Sequence, residues 1–175
     1  MAHLTIPVGA RDNSQGSPTA RVTMVEYGDY ECPACGQVYP IIKAVQRAMG
    51  DDLRFAFRDF PLSEMHPHAE HAAEVAGEAA VGGLFWPMHD TLYENQDALD
   101  DASLVSYGEQ LGLDRQKLLN ALRGGHARRI REDFQSGVRS GVNGTPTLFI
   151  NGQRYDGSLD PESLLAALRA TMARD

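Results

Sequence analysis

Apolar and polar positions follow one another along this chain in an order that predicts its elements. Val22-Thr23-Met24-Val25-Glu26-Tyr27 reads as a strand, with Val22, Met24 and Glu26 on one face because strand side chains alternate. Val38, Ile41, Ile42, Val45 and Met49 then recur at helical spacing, with Gly50 as the stop and a kink expected at Pro40. Leu53-Arg54-Phe55-Ala56-Phe57-Arg58 alternates again and predicts a second strand, ended by Pro61.

From Ser63 to Ser140 the period is helical throughout. Ala69, Ala72, Ala73, Val75, Ala76, Ala79 and Ala80 make a small-residue helix; Phe85, Trp86, Leu92 and Tyr93 mark a second. Leu104, Val105, Tyr107 and Leu111 mark a third, capped near Asp100 or Asp101. Asp114 caps a fourth, with Leu118, Leu119 and Leu122 as its stripe and Gly124 as its stop; Ala127, Ile130, Phe134 and Val138 form the stripe of a fifth. Thr147-Leu148-Phe149-Ile150 returns to strand. Asn151-Gly152 predicts a tight hairpin into Gln153-Arg154-Tyr155, because both turn residues tolerate positive φ. Asp160 caps a last helix with Pro161 at its first position and Leu164, Leu165, Leu168 and Met172 as its buried stripe. The order is strand, helix, strand, helical block, hairpin, helix. It divides into an irregular lead-in (1–20), an α/β domain (21–62 and 141–175) and an inserted helical subdomain (63–140).

Composition narrows the function classes. At 42% hydrophobic residues the 175-residue chain can bury an ordinary core. Net charge is −8, which argues against general nucleic-acid binding, a task for basic surfaces. Arg128, Arg129 and Arg131 read as the solvated face of a helix. No apolar run approaches the roughly 20 residues of a membrane helix, so no membrane insertion is expected. Residues 1–20 show neither a basic start nor an apolar segment. A cytoplasmic location follows, with a periplasmic or extracytoplasmic one as the alternative for a chain whose leader has been removed.

The only two cysteines stand together in Cys32-Pro33-Ala34-Cys35, between a strand and a helix. A helix start presents unpaired N–H groups and the positive end of the dipole, which stabilise a thiolate there. Spacing of i, i+3 places both sulfurs on one face, within bonding reach.

This pair after a strand, Gly144-Thr145-Pro146-Thr147 before a hairpin, Glu26 six residues before Cys32, and Pro40 five residues after Cys35 together resemble the thioredoxin superfamily. The helical block between the second strand and the hairpin is similar to the DsbA-type branch. The resemblance covers residues 20–173 and implies a thioredoxin-like α/β fold with a helical insertion. It implies a cis Thr145–Pro146 bond beside the cysteines and a Thr145 backbone that pairs with an extended substrate strand.

The activity implied is thiol–disulfide exchange on protein or peptide thiols and disulfides, with no cofactor and with a redox partner that recycles the couple. Cys32 is then the exposed nucleophile, Cys35 the more buried resolving thiol, and Glu26 a buried acid of raised pKa that exchanges a proton during resolution. Pro33, Ala34, Thr145 and Pro146 would meet the substrate. A thiol pKa lowered by about three units favours the thiolate by roughly 4 kcal/mol, or roughly 90 mV of oxidising power. Ala34 stands where DsbA itself has a histidine, so that source of thiolate stabilisation is absent. The Cys-Pro start nonetheless favours an oxidising or isomerising role. Two other readings compete: a glutathione-dependent isomerase or transferase of the same fold, which would not need Cys35, and a zinc-stabilised interaction module built from the thiols with His66, His68 and His71. Local capping or polar surface is the simpler account of those histidines, and packing is the simpler account of His89, Phe85, Trp86 and Tyr93.

Overall fold

Central to the computed structural model, which describes residues 2–174, is a strand with both faces covered. In chain order the elements are β1 (Asn13–Gln15), β2 (Val22–Gly28), α1 (Pro33–Met49), β3 (Leu53–Asp59), α2 (Ala69–Val81), α3 (Phe85–Glu94), α4 (Asp101–Gln110), α5 (Arg115–Asn120), α6 (Ala127–Arg139), β4 (Thr147–Ile150), β5 (Gln153–Tyr155) and α7 (Pro161–Met172). The sheet order is β1-β3-β2-β4-β5. β2 runs parallel to β3 and antiparallel to β4, with Glu26 opposite Phe57 on one side and Leu148 on the other.

The two sheet faces bury separate clusters. Val22, Met24, Phe55, Phe57, Leu148 and Ile150 pack with Val38, Ile42 and Val45 of α1, Leu164 and Leu168 of α7, and residues of α2 to α5. Val25, Tyr27, Ala56, Phe60 and Phe149 face the other way, against Phe134 of α6 and Leu4 and Val8 of the N-terminal segment. Truncating one of these buried large side chains to alanine costs about 2–5 kcal/mol. Together they fix β2, and hence the start of α1, against both layers.

The helix ends follow their local chemistry. Asp100, Asp114 and Asp160 each accept a backbone N–H three residues on, at 3.3, 3.0 and 2.8 Å. Each such cap contributes about 1 kcal/mol. Asn151 and Gly152 turn the hairpin at φ 46° and 81°.

Some expectations need correction. The lead-in is not wholly irregular: Asn13, Ser14 and Gln15 pair with Phe57, Ala56 and Phe55 of β3. This edge strand is polar and is held through its backbone, so hydrophobic patterning had no signal to offer. Val138 does not join the buried stripe of α6, being 54% exposed; Phe134 stacks on Phe60 (ring centroids 4.2 Å apart) and Gly137 faces Phe60 and Tyr27 there. At Gly124 the chain does more than stop a helix: a wide turn over Ala121–Gly125, with Gly124 at φ 97°, leads into α6.

Candidate active site

β2 ends at Gly28, where a Cβ would lie 2.5 Å from the Phe57 ring, so only glycine admits this close approach. The chain then turns sharply. Cys32 N–H donates to the Asp29 carbonyl at 3.1 Å. The Asp29 carboxylate, fully enclosed, accepts from the Glu31 N–H at 2.8 Å, the Leu62 N–H at 2.9 Å and His66 Nδ1 at 2.8 Å. Glu31 in turn accepts from the His68 backbone N–H at 2.9 Å and pairs with His68 Nδ1 at 2.6 Å. The segment after β3 is thereby tied to the turn before the cysteines.

Cys32 is the N-cap residue of α1, and Pro33 takes the first helical position, where a missing N–H costs nothing. Both thiols are free. Cys32 is 6% exposed and Cys35 fully buried, so the expected order of exposure holds, but the expectation of an openly exposed Cys32 does not. What is exposed beside it is Pro33 and Ala34. The Cys32 thiol donates to the Thr145 carbonyl at 3.5 Å, and the Thr145–Pro146 bond is cis. The sharp turn at the end of β2 and the loop before β4 thus bring Thr145 to the sulfur across 113 positions of sequence.

The electrostatics divide the two thiols. Cys32 is lowered from 9.0 to about 5. The hydrogen bond from the Cys35 thiol is the largest cause, opposed by burial and joined by Thr145 and by the N–H groups of Cys35 and Ala34. The Thr145 hydroxyl is buried with no partner in the thiol state, which leaves it free to turn towards an anionic sulfur. Cys35 moves the other way, far above its ordinary value, through burial first, then its bond to Cys32 and the charge of Glu26. An ionised sulfur beside a protonated one is the pair that thiol–disulfide exchange requires.

Glu26 is 2% exposed, and its Oε1 has no hydrogen-bond partner. Burial, with the Cys32 charge second, raises it from 4.5 to about 8, so it is mainly protonated at neutral pH. It lies on the face of β2 that meets α1, the side of Cys35.

The three histidines do not converge on the thiols. His66 is bound to Asp29, His68 to Glu31 and His71 to Asp101 at 2.6 Å; among the described residues no three metal-ligating side chains gather. His89 is buried, bonded to the Tyr30 hydroxyl at 3.0 Å, and pushed well below its ordinary pKa by burial. Sequence reasoning did not single out Asp29 or Gln96. Asp29 carried a readable signal, the tendency of aspartate to bond its own backbone two residues on. Gln96 donates to the carbonyls of Tyr30 and Cys32 at 2.8 and 2.9 Å from 64 positions beyond Cys32, and no local pattern announces it.

A five-stranded sheet covered on both faces, with Cys-x-x-Cys at a helix start and a cis-proline loop opposite, defines a thioredoxin-like α/β fold. Residues 10–170 match the family model described as thioredoxin, and the chain belongs to that family. Among solved structures it is similar to oxidised BdbD from Bacillus subtilis (TM-score 0.88, 21% identity, 98% of each chain covered). It is also similar to alpha-DsbA1 from Wolbachia pipientis (TM-score 0.82, 16% identity, 98% of this chain and 95% of that one). Among curated proteins it is 44% identical to Na(+)/H(+) antiporter NhaA 1 of Salinispora arenicola, over 97% of this chain and 26% of that protein. The namesake from Mycolicibacterium gilvum is 39% identical over 91% of this chain and 26% of its own. The chain therefore spans about a quarter of the length of these curated relatives.

Proposed function

We propose that this chain is a thiol–disulfide oxidoreductase acting on protein or peptide thiols through a mixed disulfide on Cys32. One observation carries the reading: Cys32 caps the start of α1 with the carbonyl of the cis Thr145–Pro146 loop 3.5 Å from its sulfur, and the fully buried Cys35 stands one turn in; the lowered Cys32 and raised Cys35 and Glu26 pKa values support it. In the oxidising direction a substrate thiolate attacks the Cys32 sulfur of the Cys32–Cys35 disulfide. The S–S bond breaks, its electron pair goes to Cys35, and Glu26 supplies the proton that the buried sulfur needs. A second substrate thiolate then attacks the substrate sulfur of the mixed disulfide. Cys32 leaves as a stable thiolate, the substrate is oxidised by two electrons, and the couple is reduced. Low Cys32 pKa stabilises the reduced state, which supports oxidase or isomerase work over reduction.

Pro33 and Ala34, exposed beside the sulfur, and the Thr145–Pro146 loop form the substrate rim in this reading, with Thr145 pairing to an extended peptide. Helices α2 to α6 act as the inserted subdomain (63–140) on the α/β domain (21–62 and 141–175). An oxidant of this kind suits an extracytoplasmic compartment, and we favour that location over the cytoplasmic one. The ion exchange in the names of the longer relatives is not proposed for this chain, which matches about a quarter of their length. Among the described residues no helix is long and apolar enough to cross a membrane.

Cys35→Ala tests the reading. With an oxidised peptide substrate it should trap a stable adduct on Cys32 and lose turnover. Unchanged turnover would refute dithiol exchange and favour the glutathione-dependent alternative.

A further inference from the structure

We propose that Gln96 is a positioning residue for Cys32, reaching from the turn after α3 to fix the peptide that joins Cys32 to Pro33. The inference rests on the reading of Cys32 as the reactive thiol. Gln96 Nε2 donates to the Tyr30 carbonyl at 2.8 Å and to the Cys32 carbonyl at 2.9 Å, so one amide spans the turn. The Cys32–Pro33 peptide has no N–H, and only its carbonyl can anchor it. That carbonyl also accepts the Gly36 N–H at 3.1 Å. Holding this peptide plane holds the first turn of α1, whose Ala34 and Cys35 N–H groups bond the Cys32 sulfur.

A second observation shows that the slot is built for the amide. A Cβ on Gly36 would lie 2.0 Å from Gln96 Oε1 and 2.7 Å from its Cδ. Gly36 has no positive φ, so its backbone does not demand glycine. The missing side chain makes room for Gln96. The residue after the cysteine pair and a residue of the helical block are thus fitted to each other, and the block acts on the thiol through this contact.

The test uses the full, reduced chain and reads the Cys32 ionisation midpoint from thiolate ultraviolet absorbance, with the thermal midpoint measured alongside. Gln96→Ala should raise the ionisation midpoint by roughly 0.5–1 unit, a three- to tenfold fall in the ionisation constant. Gly36→Ala, which expels the amide without altering it, should raise it similarly. The two shifts should not add, because Gln96→Ala empties the slot that a Gly36 side chain would enter. Gln96→Leu keeps the apolar stem and should shift as Gln96→Ala does if the lost donor is the cause. A Gln96→Ala or Gln96→Leu chain that melts lower yet titrates like the parent overturns the proposal, leaving the amide a structural tie. Fully additive shifts overturn it too. A parent midpoint near 9 would instead remove the oxidoreductase reading itself, whatever Gln96 does.

Discussion

Replacing Glu26 by glutamine keeps its size and removes its charge, and the effect on stability should depend on pH in a defined direction. The carboxyl titrates at 4.5 when free and at about 8 in the fold, raised by burial and then by the Cys32 charge. Between those values the unfolded chain holds fewer protons than the native one, so Glu26 lowers stability progressively as pH rises from 4.5 to 8. At pH 7 the gap is 2.5 units, or about 3 kcal/mol at 1.36 kcal/mol per unit; at pH 5 it is under about 1 kcal/mol. Glu26→Gln should therefore gain about 2 kcal/mol or more relative to the parent between pH 5 and pH 7, on top of a constant offset for the new amide. Urea denaturation of both reduced proteins across this range measures it. Cys32 acts oppositely: its depressed pKa adds stability that is full above pH 9 and lost as pH falls through about 5. That contribution is common to both chains and largely cancels in the difference. A parent–variant difference that stays flat with pH would refute the claim that this carboxyl is held neutral. Cys32→Ser removes the second cause, so in that background the native Glu26 midpoint should fall below 8 while staying above 4.5.

The Cys32 thiol should titrate near pH 5, leaving roughly one hundredfold more thiolate at pH 7 than a thiol of pKa 9.0 would have. Only the two units between 5 and 7 act at neutral pH. The gain in oxidising power is therefore at most about 60 mV, trimmed by solvent screening beside the exposed Pro33 and Ala34; equilibration with glutathione measures it, and a Cys32 midpoint above about 8 contradicts it. Asp29→Ala should cost about 2–4 kcal/mol in the denaturation midpoint, because the Glu31 and Leu62 N–H groups and His66 lose their shared acceptor; a loss below about 1 kcal/mol would show that water replaces it freely.

The sequence by itself determined the element order from β2 onward, the caps near Asp100 or Asp101 and at Asp114 and Asp160, the Asn151-Gly152 hairpin, and the placement of Cys32 and Cys35 at a helix start. All of these are local: period, capping and turn chemistry act within a few residues. The acidity of Glu26 was legible in direction, since a carboxylate on a strand covered from both sides must be desolvated. The family resemblance had already set Thr145 beside the cysteines, and it comes within 3.5 Å of Cys32 from 113 residues away. What the tertiary structure alone decided is the rest of what reaches this turn: Gln96 meets the Cys32 carbonyl from 64 residues away, and Leu62 and His66 grip Asp29 from 33 and 37 away. β1 and the N-terminal cover of the second sheet face belong to the same class. Backbone pairing and single polar contacts leave no period in the sequence, and they exist only once packing of the two layers has fixed where each segment lies.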